Sequence, residues 1–362
     1  MDGHPLMIEI LHPATDRARI TALRATASGY RFVDGWTSAL PELLAIRHPR
    51  LAGRRHGGAD DFAALAAMAQ AAGSLDEISR YIVYPWRRVL VRLPDAEHFH
   101  RLRTARNRWL ITAEEQRLWS SALIGVAGLS VGASVLTACS LTGARRFRLA
   151  EHDTLGPTNL NRLPASVCDL GEPKLLLAQR RIWEIDPYTE IATYSKGYRT
   201  HDASAFLGRG PGRLAVVVEE MDDLAMKVDI RVRARAARIP VVMATDHGDG
   251  AFLDVERYDL EPDAPLFGGR AGDLTADRAA LTDPARRLEI VHAIVGDAVS
   301  PRTRASLAEV GRTLPTWPQL GTAVGVAGAL AAAAARAIVC GAPMPSGRYR
   351  VDPDELTAAV RA

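Results

Sequence analysis

A strand, a glycine turn and a helix between residues 122 and 141 constrain the fold of this chain most strongly. The apolar run Ala122–Ala127 leads into a turn with glycines at Gly128 and Gly132, and an apolar helix pattern follows over Ala133–Leu141. A second strand pattern, Arg146–Ala150, comes next. This order is typical of the mononucleotide-binding βαβ unit, in which glycines admit phosphates close to the backbone and the helix N-terminus attracts their charge.

Acidic residues follow the strands of this unit. Glu151 and Asp153 come directly after the second strand, and a third strand pattern, Leu214–Val218, leads to Asp222 and Asp223. An acid at the end of the second strand can accept hydrogen bonds from ribose hydroxyls. Asp222 and Asp223 also have a simpler interpretation, because acids often cap the N-terminus of a helix or lie in its first turn.

Strand and helix patterns alternate beyond this unit. Helices are predicted over Pro173–Glu184 and Leu224–Arg238, and strands over Ile191–Tyr194 and Ile239–Ala244. The sequence therefore predicts an α/β fold with a doubly wound, Rossmann-like sheet that ends near Asp246.

The later part of the chain is less regular. Residues 247–318 are rich in Gly, Pro, Asp and Arg, and we expect them to form a long crossover. Gly321–Cys340 is predicted to be a buried helix, because its apolar run is too short to span a bilayer. Tyr349–Arg361 is predicted to be a strand followed by a helix.

Residues 1–100 are predicted to form a separate small α+β domain. Strands are expected at Met7–Leu11 and over Tyr81–Leu93 around Pro85. A helix is expected over Asp60–Gly73, and a capping box at Ser74–Glu77 is expected to open another short helix. Two roles stay open for this domain: recognition of a peptide or protein partner, or dimerisation and packing.

Composition excludes several classes of protein. The net charge of +3 gives no general signal for nucleic acid. The three cysteines contain no CxxC pair, which excludes a four-cysteine zinc site and indicates a reducing cytoplasm. No signal peptide or membrane segment is predicted. Cys168, close to the motifs that suggest a site, is either a small apolar filler or a reactive thiol.

Three further motifs complete the pattern: Asn159-Leu-Asn-Arg162, Gly171-Glu-Pro-Lys174 and Met221-Asp222-Asp223. With these in order, the sequence resembles the ThiF/MoeB-type adenylyltransferases of the ubiquitin-activating superfamily. The resemblance covers roughly residues 103–250 and the helix at 321–340. It implies that residues 101–362 form a domain that binds ATP and Mg²⁺ and adenylates a carboxylate, usually that of a protein C-terminus.

The resemblance implies a role for each motif residue. Gly128 and Gly132 would form the phosphate-facing turn, Glu151 would bind the ribose, and Asp153 is the second acid of that motif. Asn159 and Arg162 would contact the triphosphate, Lys174 would neutralise phosphate charge, and Asp222 would hold Mg²⁺. Arg106, in the run Arg103–Asn107, would reach ATP across a homodimer interface.

The chemistry requires such residue types, because a carboxylate must attack a phosphate of like charge. Arginine forks and a lysine can spread positive charge over the triphosphate, and Mg²⁺ requires hard oxygen ligands. The chain departs from the family in three ways: the turn does not register as GxGxxG, Glu151 replaces an aspartate, and the crossover contains no cysteine. A ubiquitin-type thioester relay is therefore not expected.

The sequence favours one function over two alternatives. The favoured hypothesis is ATP-dependent adenylation of a carboxylate on a peptide or a small ubiquitin-like or sulfur-carrier protein, in peptide natural-product tailoring or cofactor biosynthesis. The alternatives are an NAD-dependent oxidoreductase, which would use the same βαβ unit, and a non-catalytic scaffold. The oxidoreductase leaves Arg162, Lys174 and Asp222 without a function.

Overall fold

The computed structural model describes three stretches of the chain, residues 7–49, 75–274 and 281–353. The predicted helix Asp60–Gly73 lies outside them. The chain divides into two compact units, of which the first comprises Met1–Ala113 and Trp183–Tyr188 and the second comprises Glu114–Ile182 and Thr189–Ala362.

The first unit is an α+β structure. Its strands are β1 (Glu9–Leu11), β2 (Arg31–Asp34), β3 (Ser79–Tyr84) and β4 (Val89–Pro94), in the sheet order β1-β3-β4-β2. Its helices are α1 (Arg17–Arg24), α2 (Trp36–Arg47) and α3 (Ala96–Thr104). Leu11, Leu23, Val83 and Leu90 belong to the apolar core between them.

Two local predictions for the first unit are wrong. The residues after Ser74 form a turn that leads into β3 rather than a helix, because pairing of β3 with β1 and β4 overrides the local capping signal. The single strand predicted over Tyr81–Leu93 is two antiparallel strands, since a 3₁₀ turn at Pro85–Arg87 reverses the chain and Arg88 adopts a φ of +50°.

The second unit is built on a seven-stranded sheet within the described residues. Its strands are β5 (Leu123–Ala127), β6 (Arg146–Ala150), β7 (Glu190–Tyr194), β8 (Val216–Glu219), β9 (Val241–His247), β10 (Gly250–Glu256) and β11 (Gly347–Val351). The order is β11-β10-β9-β8-β5-β6-β7. Strands β5 to β9 run parallel, and β10 and β11 are antiparallel to their neighbours.

Helices connect these strands. They are α4 (Ala113–Ser121), α5 (Val131–Leu141), α6 (Lys174–Ile185), α7 (Ala203–Leu207), α8 (Leu224–Ala236), α9 (Pro284–Val295), α10 (Pro301–Leu307) and α11 (Gly321–Val339). After β5 the chain adds β6 and β7 on one side and β8 and β9 on the other. This reversal confirms the predicted doubly wound fold and places a crevice at the carboxyl ends of β5 and β8.

The core sheet does not end near Asp246 as predicted. Strand β10 lies within the expected crossover and is buried along its whole length. Its pattern is obscured by Asp254 and Glu256, two buried acids that are paired with arginines. The two-residue turn Gly248-Asp249 between β9 and β10 is the sequence signal for this hairpin.

Helix α11 confirms the prediction of a buried helix. By length and composition alone it could cross a membrane, but here its small residues pack against α5 and the sheet strands β8, β9 and β10. At Gly328 the two helices approach so closely that an added Cβ would lie 2.7 Å from Ser134 Cβ. Gly325, on the same helix, has nothing within 4 Å of such an atom.

These two glycines predict opposite effects of the same substitution. Gly325→Ala should stabilise the protein by up to about 1 kcal/mol, because alanine has the higher helix propensity. Gly328→Ala should lower the melting temperature, because the clash with Ser134 forces α5 and α11 apart. Thermal unfolding of both variants checks this, and equal shifts would contradict the close approach.

Candidate active site

The glycine turn after β5 is held against the loop after β8. Gly128 has a φ of +89°, and a Cβ there would lie 2.9 Å from Met221 N and closer still to the carbonyl of Glu220. Gly132 lies in the first turn of α5, where a Cβ would meet Val126 Cγ1 at 3.0 Å. Gly128 therefore permits the turn, whereas Gly132 permits α5 to pack on the sheet.

Glu151 ties the glycine turn to the end of β6. Its buried carboxylate accepts hydrogen bonds from the N–H groups of Leu129 (2.8 Å), His152 (2.7 Å) and Asp153 (2.9 Å). A carboxylate has about four acceptor positions, so about one remains for a ribose hydroxyl. Ribose binding by Glu151 stays a prediction.

Asp153 and Lys174 form an ion pair. Lys174 Nζ lies 2.9 Å from Asp153 Oδ2, and the backbone N–H of Lys174 donates to the carbonyl of Asp153 at the same distance. Asn159 is also held locally, because its Oδ1 accepts from Gly156 N–H at 2.9 Å. Since an ammonium has three donors, Lys174 can still bind a phosphate beside Asp153.

Arg162 is fixed at the start of α5. Its Nε donates to Ser130 Oγ at 3.0 Å, and its Nη1 donates to the carbonyl of Thr158 at 3.1 Å. Among the described residues Nη2 has no partner, which leaves one edge of the guanidinium for a ligand. Burial lowers the pKa of Arg162, while the nearby carboxylates of Asp246 and Asp222 act in the opposite direction.

Asp222 and Asp223 have different surroundings. Asp223 caps α8, because its Oδ1 accepts from the N–H groups of Ala225 (2.8 Å) and Met226 (3.2 Å). Asp222 precedes the cap and lines both cavities described below, whereas Asp223 lines only the larger of them. The simpler interpretation as a helix cap therefore accounts for Asp223 and not for Asp222.

The loop that carries Asp222 is anchored by a buried ion network. Glu219, at the end of β8, accepts from Met221 N–H at 2.8 Å and pairs with Lys227 at 3.1 Å and with Arg231. Arg231 also donates to Glu256 of β10 at 2.7 Å. Burial alone would raise the pKa of Glu219, but Lys227 and Arg231 outweigh it and the pKa is lowered.

Two adjoining cavities collect the predicted residues of the second unit. The larger, of 580 Å³, is lined by Gly128, Glu151, Asp153, Lys174 and Asp222, among others. The other, of 370 Å³, is lined by Ser130, Arg162, Glu220, Asp222 and Asp246, among others. Ser130, Glu220, Met221 and Asp222 line both. Gly132 and Asn159 line neither.

Arg106 belongs to the first unit. It lies exposed on a 3₁₀ turn over Ala105–Asn107. The preceding arginine of the motif, Arg103, pairs with the buried carboxylate of Asp186 at 2.9 Å. A contact of Arg106 with ATP across a dimer interface therefore stays a prediction.

Two acids of the site were missed from the sequence. Asp246, at the end of β9, is 4% exposed and accepts from Gln319 Nε2 at 3.2 Å. Glu220 accepts from Ala244 N–H at 2.8 Å. Burial raises the pKa of both carboxyls. Asp246 follows a buried strand, as Asp222 does, so the strand-end position was a usable signal.

Carboxylate oxygens are the ligands that Mg²⁺ prefers, and Glu220, Asp222 and Asp246 supply them around one cavity. A second group, Glu151, His152 and Asp153, has possible ligand atoms within 4.8 Å of one another. Its carboxylates are largely occupied, because Glu151 accepts three N–H groups and Asp153 pairs with Lys174. Glu220, Asp222 and Asp246 are not among the described groups whose ligand atoms all lie within 4.8 Å of one another, and Mg²⁺ binding by Asp222 stays a prediction.

A protein-family profile described as the ThiF family matches residues 104–361. The chain belongs to the ThiF family. This confirms the resemblance drawn from the ordered motifs. Membership covers the second unit, which contains both cavities and every predicted site residue except Arg106.

Individual relatives are similar over part of their length. The chain is 41% identical over 280 residues to the uncharacterized protein MT1398 of Mycobacterium tuberculosis, covering 77% of this chain and 38% of that protein. It is 29% identical over 152 residues to the tRNA threonylcarbamoyladenosine dehydratase of Bacillus subtilis, covering 40% and 58%. The chain thus spans less than two thirds of either relative.

A solved structure supports the fold of this ThiF-family chain. The crystal structure of PaaA matches with a TM-score of 0.50 and 14% sequence identity, over 73% of this chain and 82% of that one. At this level of identity the match bears on the fold alone.

The buried ion pairs of Glu219 predict that a conservative substitution at this position strongly destabilises the protein. Glu219→Gln should destabilise the protein by about 3 kcal/mol, because Arg231 and Lys227 lose a buried partner. The depressed pKa of Glu219 adds stability at neutral pH that is lost as the pH falls below its ordinary value of 4.5. Denaturant unfolding against pH measures this, with the exposed pair variant Glu190→Gln as control.

The cysteines predict a selective pattern of alkylation. Cys168 is exposed, whereas burial raises the pKa of the Cys139 thiol to about 12. Iodoacetamide at neutral pH should therefore label Cys168 first and leave Cys139 unmodified in the folded protein. Peptide mass mapping reports the sites, and labelling of Cys139 without unfolding would contradict the packing of α5.

Proposed function

We propose that the protein uses ATP and Mg²⁺ to adenylate a carboxylate. The observation that carries this proposal is the pair of adjoining cavities at the carboxyl ends of the parallel strands. Around them lie a glycine turn, the cations Lys174 and Arg162, and the carboxylate of Asp222, among other charged side chains. Membership of the ThiF family supports the same chemistry.

In the proposed step an oxygen of the substrate carboxylate attacks the α-phosphorus of ATP. A bond forms between that oxygen and phosphorus, the bond from the α-phosphorus to the bridging oxygen breaks, and pyrophosphate leaves. The acyl adenylate keeps the AMP moiety. Because the substrate is itself the nucleophile, the protein contributes positioning and charge.

Arg162 and Lys174 supply that positive charge from fixed positions. Ser130 and Thr158 hold the guanidinium of Arg162 before any ligand binds, so little reorganisation is required. Lys174 is oriented by Asp153 and can donate to a phosphate oxygen with a second proton. The free edge of Arg162 suits a phosphate or a carboxylate.

Asp222 would hold Mg²⁺, with Asp246 and Glu220 as neighbouring carboxylates. The bound ion would offset the negative charge of the triphosphate. Without it, three carboxylates line a cavity that must admit a polyanion, so ATP binding should depend strongly on the metal.

The acyl substrate is proposed to belong to a peptide or a small protein of the ubiquitin-like or sulfur-carrier kind. Peptide natural-product tailoring and cofactor biosynthesis are the two settings that this chemistry serves. A homodimer in which Arg106 reaches the partner's nucleotide is part of the same proposal, and the resemblance to the family supports it.

Asp222 and Asp223 give this proposal a matched test. ATP with Mg²⁺ should raise the melting temperature of the wild type, by the equivalent of about 2.7 kcal/mol at 100 times the Kd. Asp222→Ala should lose the Mg²⁺-dependent shift. Asp223→Ala should lower the basal melting temperature, because it removes a helix cap, but should keep the shift.

Differential scanning fluorimetry with ATP, ATP·Mg²⁺ and NAD measures these shifts. A shift with NAD alone would replace the proposal by an oxidoreductase. No shift with any of the three would favour a scaffold without nucleotide.

A further inference from the structure

A third cavity is lined by Arg162 and shares no described lining residue with the 580 Å³ cavity. Its volume is 420 Å³, within the range that holds small ligands. Arg162 and Arg302 both line it, together with hydroxyl groups such as Thr158 and Ser306. No aspartate or glutamate is among the described residues that form its walls.

This cavity adjoins the one that contains Asp222. Arg162, Thr316, Trp317 and Gln319 line both. The two differ in charge, because Arg162 and Lys227 line the 370 Å³ cavity together with Glu220, Asp222 and Asp246, whereas among the described residues Arg162 and Arg302 line the 420 Å³ cavity without an acid. A molecule that lies across both must pass Arg162.

Arg302 is the second cation among the described residues that line this cavity. It is exposed on α10, and among the described residues its side chain has no hydrogen bond or ion pair. Its guanidinium can bind a carboxylate through two parallel hydrogen bonds. Leu314, Pro315 and Trp317 line the same cavity and are available to pack against a hydrocarbon stem.

We propose that the acyl substrate is a peptide segment with two carboxylates close together. One carboxylate lies at Arg162 and is adenylated, and the other is bound by Arg302. This inference rests on the proposed function and adds the substrate class: an acidic peptide rather than a neutral one. A small free dicarboxylic acid shares this chemistry, and the test separates the two.

Binding of short peptides, measured by calorimetry without nucleotide, tests the proposal. The probes are Ala-Ala-Glu and its matched neutral form Ala-Ala-Gln, both with free C-termini. The wild type should bind the glutamate peptide at least about tenfold more tightly, which corresponds to about 1.4 kcal/mol. Arg302→Ala should abolish this preference, and Arg302→Lys should retain part of it.

A charge reversal makes the test specific. Arg302→Glu should disfavour Ala-Ala-Glu and favour Ala-Ala-Lys, which a merely structural role of Arg302 would not produce. Arg312→Ala is the control, because it removes an exposed arginine of the same segment that does not line the cavity. Its preference for the glutamate peptide should match that of the wild type.

Several results would overturn the proposal: no binding of Ala-Ala-Glu by the wild type, equal binding of the two peptides, or a preference that survives Arg302→Ala. Binding of glutarate as tightly as the peptide would replace the peptide by a free dicarboxylic acid. Because no nucleotide is present, failure here leaves the ATP·Mg²⁺ melting shift unaffected, and the two proposals can fail separately.

Discussion

The position of the candidate catalytic loop depends on one buried cation, Arg231. Its guanidinium lies between Glu219 of β8 and Glu256 of β10, fully removed from solvent, and stacks on Phe267 at 4.0 Å. Burying the charges of Arg231, Glu219 and Glu256 costs free energy, and apolar side chains of similar volume could stabilise the fold as well. The ion pairs also hold the groups that they join in a fixed orientation. Glu219 also accepts from Met221 N–H, so the network fixes the backbone immediately before Asp222.

The cations of the site are oriented by the protein before any ligand is present. Lys174 pairs with Asp153, and Arg162 is held by Ser130 and a backbone carbonyl. Such preorganisation is what electrostatic catalysis requires, because dipoles and charges that are already aligned cost no reorganisation during the reaction. The buried Glu151 has a similar positioning role. Its carboxylate accepts three backbone hydrogen bonds, which hold the glycine turn against the end of β6.

Sequence reasoning found the architecture and most of the site because both follow from local patterns. The strands β5, β8 and β9 are largely apolar, β6 and β7 mix polar with apolar residues, and the acids that follow β6 and β8 can be read directly from the sequence. It failed where long-range pairing decides the outcome. Strand β10 was missed because Asp254 and Glu256 interrupt its apolar pattern, and only distant arginines make their burial tolerable. Asp246 was missed because the sheet was taken to end there. No local sequence pattern identifies Arg302, because its proposed role depends on the other residues that line the cavity.

The charge contrast across Arg162 separates two tasks that adenylation must combine. On the side of Asp222, three acids line the cavity together with Arg162 and Lys227, and in the proposed reaction Mg²⁺ would offset negative charge there. On the side of Arg302, the described lining residues include two arginines and no acid, which would favour an anionic acyl group. Among the described residues, Arg162 is the cation that lines both cavities, and its Nη2 has no partner there. In the proposed reaction, a carboxylate bound near Arg302 would lie close to the residues shared with the cavity proposed for the nucleotide phosphates, and the substrate itself would be the nucleophile.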